Sequence, residues 1–323
     1  MRKILGVNIS HNCSFAYFED DVLKEYYEED RFNKKKNYEP KEIELGNYTY
    51  EYLVLKKFKD VVFDTVAFAS FDRGHLQIEL PIIKHILQQV KYKKYYFDNN
   101  NHHVYHAVCG NYFSKFDEAV ALISDGGGEL ILAPTNDGGR RSAPDFKVLQ
   151  SIFLINKKEV IPKFKYYSNK RFDYFDNFVP TEKHVKENVD SQYPYEYVLS
   201  NKLRAGLRYI YYLPKAGFLV GEEGQMMGIA AYKNKNTDIS KEVLKIADKA
   251  QEETLQETIE LVDRVKEYTD CKNIILSGGY HMNCSNNFKL VKYFSDYKFF
   301  VDPIAHDGGT AIGAAYYYAN YLQ

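Results

Sequence analysis

A chain of 323 residues that is 45% hydrophobic suits one large bilobal α/β unit or two domains, and it is too apolar to stay disordered. Its formal net charge of -1 and pI of about 6.8 exclude a global positive field that would draw it to nucleic acid or anionic lipid. Cys13, Cys109, Cys271 and Cys284 are scattered without a CxxC pair, which argues against a disulfide framework and for reduced thiols.

The start, MRKILGVNIS, lacks the long apolar run of a secretory leader. No apolar stretch reaches the roughly 20 residues of a membrane span. The expected location is therefore cytoplasmic, with no membrane partner.

KILGVNI at 3–9 predicts a buried strand that ends in a polar turn. Ser14–Glu19 and Val22–Glu29 flank Asp20-Asp21 and predict a hairpin on the same sheet. Pro40–Lys59 and Leu76–Val90 read as helices, with VVFDTVAFAS at 61–70 an interior strand between them. AVALIS at 119–124 is the next strand. It runs into Asp125-Gly126-Gly127-Gly128, after which Glu129–Ala133 pairs back.

Residues 135–200 lose clear periodicity and read as an insert. A long amphipathic helix follows over Ser240–Tyr268. Then come a strand at Asn273–Leu276, a helix at His281–Tyr293, a strand at Lys298–Val301 and a Gly/Ala-rich helix at Asp307–Tyr318. Strands stop at glycine turns and feed helices at both ends of the chain. The fold class is α/β, with two lobes facing each other across a cleft: lobe 1 about 1–115, lobe 2 about 116–323. No repeat of 20–50 residues is visible.

Three glycine turns stand out: DGGGE at 125–129, SGGY at 277–280 and HDGGT at 306–310. Glycine lets backbone N–H groups approach a phosphate, and a helix N-terminus adds a favourable dipole. Any one such turn can simply end a strand. Three together, two with Asp, point to a nucleotide and metal cleft.

NHHVYHAV at 101–108 places His102 and His106 at i, i+4, on one face of a helix, and turns His103 elsewhere. The pair alone is equally a solvated helix end. Asp125 at a strand exit and Asp307 at a helix start complete a set of two His and two Asp. Such a set suits iron(II), manganese or zinc more than magnesium or calcium alone. His11, in SHNCS after the first strand, is a candidate acid/base. The run EEDRFNKKK at 28–36 reads as a solvated charged face.

The stretches ILGVNISHNCS, EEDRFNKKK, NHHVYHA, DGGGE, GEEGQMMGIAAY, LSGGYHMN and AHDGGTAIGAAYY occur in that order. Together they resemble the O-carbamoyltransferase family of nodulation factors and antibiotics, through its N-terminal domain only. They resemble, more distantly, the tRNA threonylcarbamoyladenosine synthase. The resemblance implies an actin/hexokinase/heat-shock-chaperone-like fold in two related lobes.

The activity it implies is ATP- and metal-dependent carbamoyl transfer. The carbamoyl group would pass from carbamoyl phosphate, through carbamoyl-adenylate, to an acceptor hydroxyl. Magnesium would accompany ATP, and iron is the family's usual metal. His102, His106, Asp125 and Asp307 match the metal ligands. His11 matches the catalytic histidine and Lys36 the lysine after the family's EERF segment, so both are expected to be catalytic. Gly278, Gly279 and Asn283 match the nucleotide loop, with Gly126, Gly127, Gly128 and Gly224 as further nucleotide contacts.

The sequence departs from the family pattern at Gln225, where a lysine is usual, and at His306 and Thr310. The family's C-terminal adenylate-forming domain is expected to be absent, so either a separate adenylate-forming protein supplies the adenylate or this chain makes its own.

KKEVIPKFKYYSNKRF at 157–172 interleaves basic and aromatic residues. It reads either as an insert whose aromatics pack inward or as a surface for the acceptor. The acceptor classes are a small metabolite, a nucleotide, or a hydroxymethylated base in DNA. The alternative to an enzyme is a nucleotide-binding subunit of a larger complex without its own turnover.

Overall fold

The computed structural model describes residues 1–38, 52–70, 76–98, 100–131, 146–168 and 194–322. The first sheet contains β1 (Lys3–Asn8), β2 (Ser14–Glu19), β3 (Val22–Glu28), β4 (Val62–Ala69) and β5 (Lys91–Phe97), ordered β3-β2-β1-β4-β5. β1 runs antiparallel to β2 and parallel to β4. β2–β3 is antiparallel and β4–β5 parallel.

The second sheet repeats this plan. It contains β6 (Glu118–Ser124), β7 (Leu130–Ile131), β8 (Phe146–Asn156), β9 (Val160–Ser168), β10 (Glu196–Ser200), β11 (Asn273–Ser277) and β12 (Lys298–Val301). Its core order is β9-β8-β6-β11-β12, with the same sequence of antiparallel and parallel pairings; β10 extends one edge and β7 pairs with β8. The α/β, two-lobed reading therefore holds, and each lobe is a copy of one topology.

The helix that follows each sheet crosses to the other sheet. His102–Ser114 follows β5, yet Val104, Ala107 and Val108 pack on Ala121, Ile123, Phe153 and Ile275 of the second sheet. Thr310–Asn320 follows β12, yet Ala311, Ile312 and Ala315 pack on Ile4, Ala16 and Phe18 of the first. The two helices cross where Gly313 meets the Tyr105 carbonyl: a Cβ on Gly313 would strike that oxygen and lie 2.6 Å from its carbon. Small residues on the second helix permit this approach.

Several expectations need correction. Residues 146–168, read as part of an insert, are two long strands inside the second sheet. Phe164 and Tyr166 accordingly sit in its core, Tyr167 is buried, and Lys165 is also buried. Those aromatics cannot stack on an acceptor base; Lys170, Arg171 and Phe172 lie outside the described residues. Of the helix expected at 40–59, residues 40–51 also lie outside them, and Leu53–Phe58 forms a 3-10 segment.

The charged run does not wholly face solvent either. Glu29 is buried and accepts the Leu53 and Val54 N–H groups at 2.8 and 3.2 Å. β5 escaped the pattern because KYKKYYF is an exposed edge, where lysines discourage further strand pairing. Helices Ala205–Tyr212 and Glu223–Ala230 were likewise not anticipated. Among the described residues no helix is long and apolar enough to cross a membrane.

The helix crossing generates a stability prediction. Gly313→Ala is expected to lower stability by about 1–3 kcal/mol, as overpacking does in a close-packed interior. Urea unfolding checks this; a midpoint equal to that of the unsubstituted protein would refute the tight crossing.

Candidate metal centre

His102 and His106 lie one turn apart at the start of their helix, with Nε2 atoms 3.2 Å from each other. The second lobe supplies Asp125, just after β6, and Asp307, which opens a 3-10 turn before the terminal helix. His102 Nε2 stands 3.1 Å from Asp125 Oδ2 and 3.7 Å from Asp307 Oδ1. His106 Nε2 stands 3.7 and 3.6 Å from the same two oxygens. All four side chains are buried, and their ligand atoms lie within 4.8 Å of one another.

Neighbouring donor atoms bound to one ion at about 2.0–2.2 Å lie about 2.8–3.6 Å apart in tetrahedral or octahedral geometry. The observed spacings are close to that range. Histidines are the ion-pair partners of both carboxylates, with no lysine or arginine among the described residues paired to either. Two buried carboxylates converging on two imidazoles suit a divalent cation, because a buried charge demands a counter-charge. The residues present therefore fit a metal of the nitrogen/oxygen class.

Backbone glycines hold Asp125 in place. Its Oδ1 accepts the Gly126 N–H at 2.8 Å and the Gly279 N–H at 3.3 Å. Gly278 has φ +92°, and a Cβ there would strike the Ser124 carbonyl. Only glycine allows the two turns to touch so closely. The SGGY turn thus commits one of its N–H groups to the candidate ligand.

Asp307 is held from the first lobe. Its Oδ2 lies 3.1 Å from His11 Nδ1 and 3.2 Å from Ser10 Oγ. Asn8 shapes that turn: its Oδ1 accepts the Ser10 N–H at 3.0 Å, and its Nδ2 donates to the His11 carbonyl at 3.0 Å. His11 itself is 51% exposed, while the Asp307 it touches is buried. It stands between solvent and the buried quartet.

Burial works against the charge on His102, Asp125 and Asp307, and the neighbours outweigh it. Burial would lower the His102 pKa, but Asp307 and Asp125 push it up to about 9. Burial would raise Asp307, but His11, His102 and His106 hold it well below the usual carboxylate range. Asp125 is also lowered, its histidine neighbours prevailing over burial and Asp307.

The other expected site residues are dispersed. His103 turns away from the quartet, with Nδ1 2.8 Å from Ser151 Oγ. Lys36 is exposed, with Nζ 3.4 Å from the Gly221 carbonyl of the other lobe. Gly224 lies in the first turn of helix Glu223–Ala230, where an added Cβ would meet nothing within 4 Å. Asn283 caps helix Cys284–Tyr293 and donates to Gln251 Oε1 at 2.8 Å, so its amide serves the fold. Gly128 packs against the His103 ring.

Two neighbours escaped sequence reasoning. Ser10 sits beside Asp307, and Glu28 Oε1 lies 3.3 Å from His306 Nε2. Adjacency to His11 was the available signal for Ser10; none pointed to Glu28 beyond its place in a charge run.

Residues 222–316 match the family described as carbamoyltransferase N-terminus. The chain resembles the carbamoyltransferase N-terminal domain. The matched segment contains Gly224, Gly278, Gly279, Asn283 and Asp307, while His102, His106 and Asp125 precede it.

An uncharacterized protein of Synechocystis sp., sll1178, is 24% identical across 98% of this chain and 56% of its own length. The chain thus spans about half of that relative. Full-length HypF, solved in a phosphate- and nucleotide-bound form, aligns at 12% identity with a TM-score of 0.56, covering 100% of this chain and 56% of HypF. A ROK family protein from Streptococcus pneumoniae, in complex with sucrose, aligns at 13% identity with a TM-score of 0.49, covering 97% of this chain and 96% of its own. The HypF likeness and the repeated sheet order show a two-lobed actin/hexokinase-like fold.

Two outcomes are expected. His102→Ala or Asp307→Ala should lower bound metal sharply; elemental analysis with unchanged stoichiometry would reject the centre. Below about pH 9 the metal-free His102 carries a proton that an ion must displace. Metal affinity should therefore rise as pH rises toward 9, by up to about tenfold per unit, with proton release on binding. Calorimetry in buffers of different ionisation enthalpy reads that release; a flat pH profile would contradict it.

Proposed function

We propose that the chain transfers a carbamoyl group to an acceptor hydroxyl, using carbamoyl-adenylate made from carbamoyl phosphate and ATP. The observation that carries the reading is half-exposed His11 held by Asp307 beside a buried two-His, two-Asp quartet. The match to the carbamoyltransferase N-terminus supports it. So does the HypF likeness, since that protein was solved with phosphate and nucleotide bound.

His102, His106, Asp125 and Asp307 would hold the metal, with iron favoured over manganese or zinc by the family resemblance. When bound, the ion supplies positive charge to phosphate or carbonyl oxygens. Asp307 orients the His11 ring through Nδ1. His11 Nε2 is then left to accept the acceptor's proton as its oxygen attacks the carbamoyl carbon. A carbon–oxygen bond forms to the acceptor, the carbon–oxygen bond to the phosphate breaks, and AMP leaves with the electron pair. Acceptor oxygen, carbamoyl carbon and imidazole must be aligned, which is where a positioned base gains its advantage.

The acceptor is a hydroxyl of a small metabolite, a nucleotide, or a hydroxymethylated base. A flipped base could reach the cleft only by leaving its stack. Magnesium would enter with ATP. Lys36, exposed and 3.4 Å from the Gly221 carbonyl through Nζ, would meet the nucleotide or the donor. The donor comes either from this chain or from a separate adenylate-forming protein.

The test uses preformed carbamoyl-adenylate beside carbamoyl phosphate with ATP, so that transfer and activation are read separately. A panel of hydroxyl acceptors is scored for a mass gain of one HNCO unit. His11→Ala should reduce kcat by roughly 100-fold or more, the scale of a lost general base, without weakening nucleotide binding. Nucleotide binding with no transfer from any donor to any acceptor would overturn the proposal.

A further inference from the structure

The quartet does not account for the residue between its two histidine turns, nor for the last residue of the DGGGE turn. His103 and Glu129 meet. The His103 N–H points to Glu129 Oε1 at 3.3 Å, and Glu129 is buried. Lys165 Nζ lies 3.5 Å from the same oxygen, and its cation sits 5.3 Å from the Tyr195 ring.

The helix that carries His102 and His106 makes no side-chain cap of its own at Asn101. Free N–H groups in a first helical turn seek an acceptor, and a carboxylate there also complements the helix dipole. Glu129 fills that place from the turn after β6, in the sheet on which the helix packs.

We infer that Glu129 is a positioning residue for the metal centre: it holds the first turn of helix His102–Ser114 so that His102 and His106 converge with Asp125 and Asp307. The inference rests on the metal reading of the quartet. Three features give it reach. The DGGGE turn is pinned to β8 at both ends, by the Asp125 N–H to the Leu149 carbonyl at 3.0 Å and the Gly128 N–H to the Val148 carbonyl at 2.8 Å. That one turn therefore presents Asp125 to His102 and Glu129 to His103, adjacent residues of the ligand helix.

The His103 ring is also fixed, by Ser151 at 2.8 Å and by Gly128, where a Cβ would lie 2.7 Å from His103 Nε2. Finally, Lys165 Nζ, itself buried, lies 3.5 Å from Glu129 Oε1 and gives the buried carboxylate a counter-charge at the helix end. His103 thus belongs to the centre without being a ligand. Its backbone and ring are the handles by which the second lobe sets the angle of the ligand helix.

Cobalt(II) is the probe, because its visible ligand-field bands report donor geometry. Titrations compare the full chain with Glu129→Ala, Glu129→Gln and His102→Ala. Glu129→Ala is expected to raise the Kd for cobalt about 10- to 100-fold, the usual scale for losing a group that orients ligands. Its bands at saturation should also shift. Glu129→Gln keeps an acceptor for the His103 N–H and should recover most of the affinity.

A lower melting temperature with unchanged Kd and bands would mark a merely structural role and overturn the inference. Should Glu129→Ala fail to fold, Glu129→Asp takes its place. It keeps the charge but falls one methylene short, and the same loss is expected; wild-type Kd and bands would overturn the inference. If the wild-type chain binds no cobalt, or His102→Ala binds it equally well, the metal reading falls. If His102→Ala loses cobalt while Glu129→Ala does not, only the positioning role falls.

Discussion

The backbone contact of Gly313 with the Tyr105 carbonyl sets how closely two helices approach, and the cleft depends on that approach. Each helix has left its own sheet and packed on the other's, so the two lobes share their cores through exchanged parts. The N-terminal ends of both helices come together as a result. One end carries His102 and His106, and the turn before the other carries Asp307. A side chain at the crossing would separate the helices and draw the imidazoles away from the carboxylates.

Electrostatics follow from this packing. Asp125 and Asp307 are buried where water cannot solvate them, and among the described residues their charge is met by imidazoles rather than by lysine or arginine. Hydrogen bonds from Gly126, Gly279 and the His11 turn fix the carboxylates without neutralising them fully. The arrangement resembles a socket for a cation more than a salt bridge, since bridges left to themselves gain little from burial. His11 lies at the edge of this socket, partly in water.

The sequence revealed the fold class and much of the order of elements, because alternating strands and glycine turns follow period and turn chemistry. The i, i+4 spacing of His102 and His106 was equally plain. Their meeting with Asp307 was not, because the helix exchange that joins distant parts of the chain has no local signature.

Residues 146–168 were misread because a strand buried on both faces, such as β8, does not alternate. β5 was missed for the opposite reason: as an exposed edge it looks polar. Glycine turns were read as phosphate cradles, whereas in the structure Gly278 and Gly279 also hold a carboxylate. Asn283, a nucleotide-loop match by resemblance, also caps a helix with its side-chain oxygen. A short motif constrains residue type, and it leaves open which neighbour the residue serves.

The central claim is that one ion sits between the lobes, held by two histidines from one and two aspartates from the other. The most direct measurement is anomalous diffraction from crystals of the metal-loaded protein, collected on either side of the metal's absorption edge. The account predicts a single strong peak within bonding distance of His102 Nε2, His106 Nε2, Asp125 Oδ2 and Asp307 Oδ1. A peak bound by residues of one lobe alone, or no peak at the quartet in metal-saturated crystals, would contradict it.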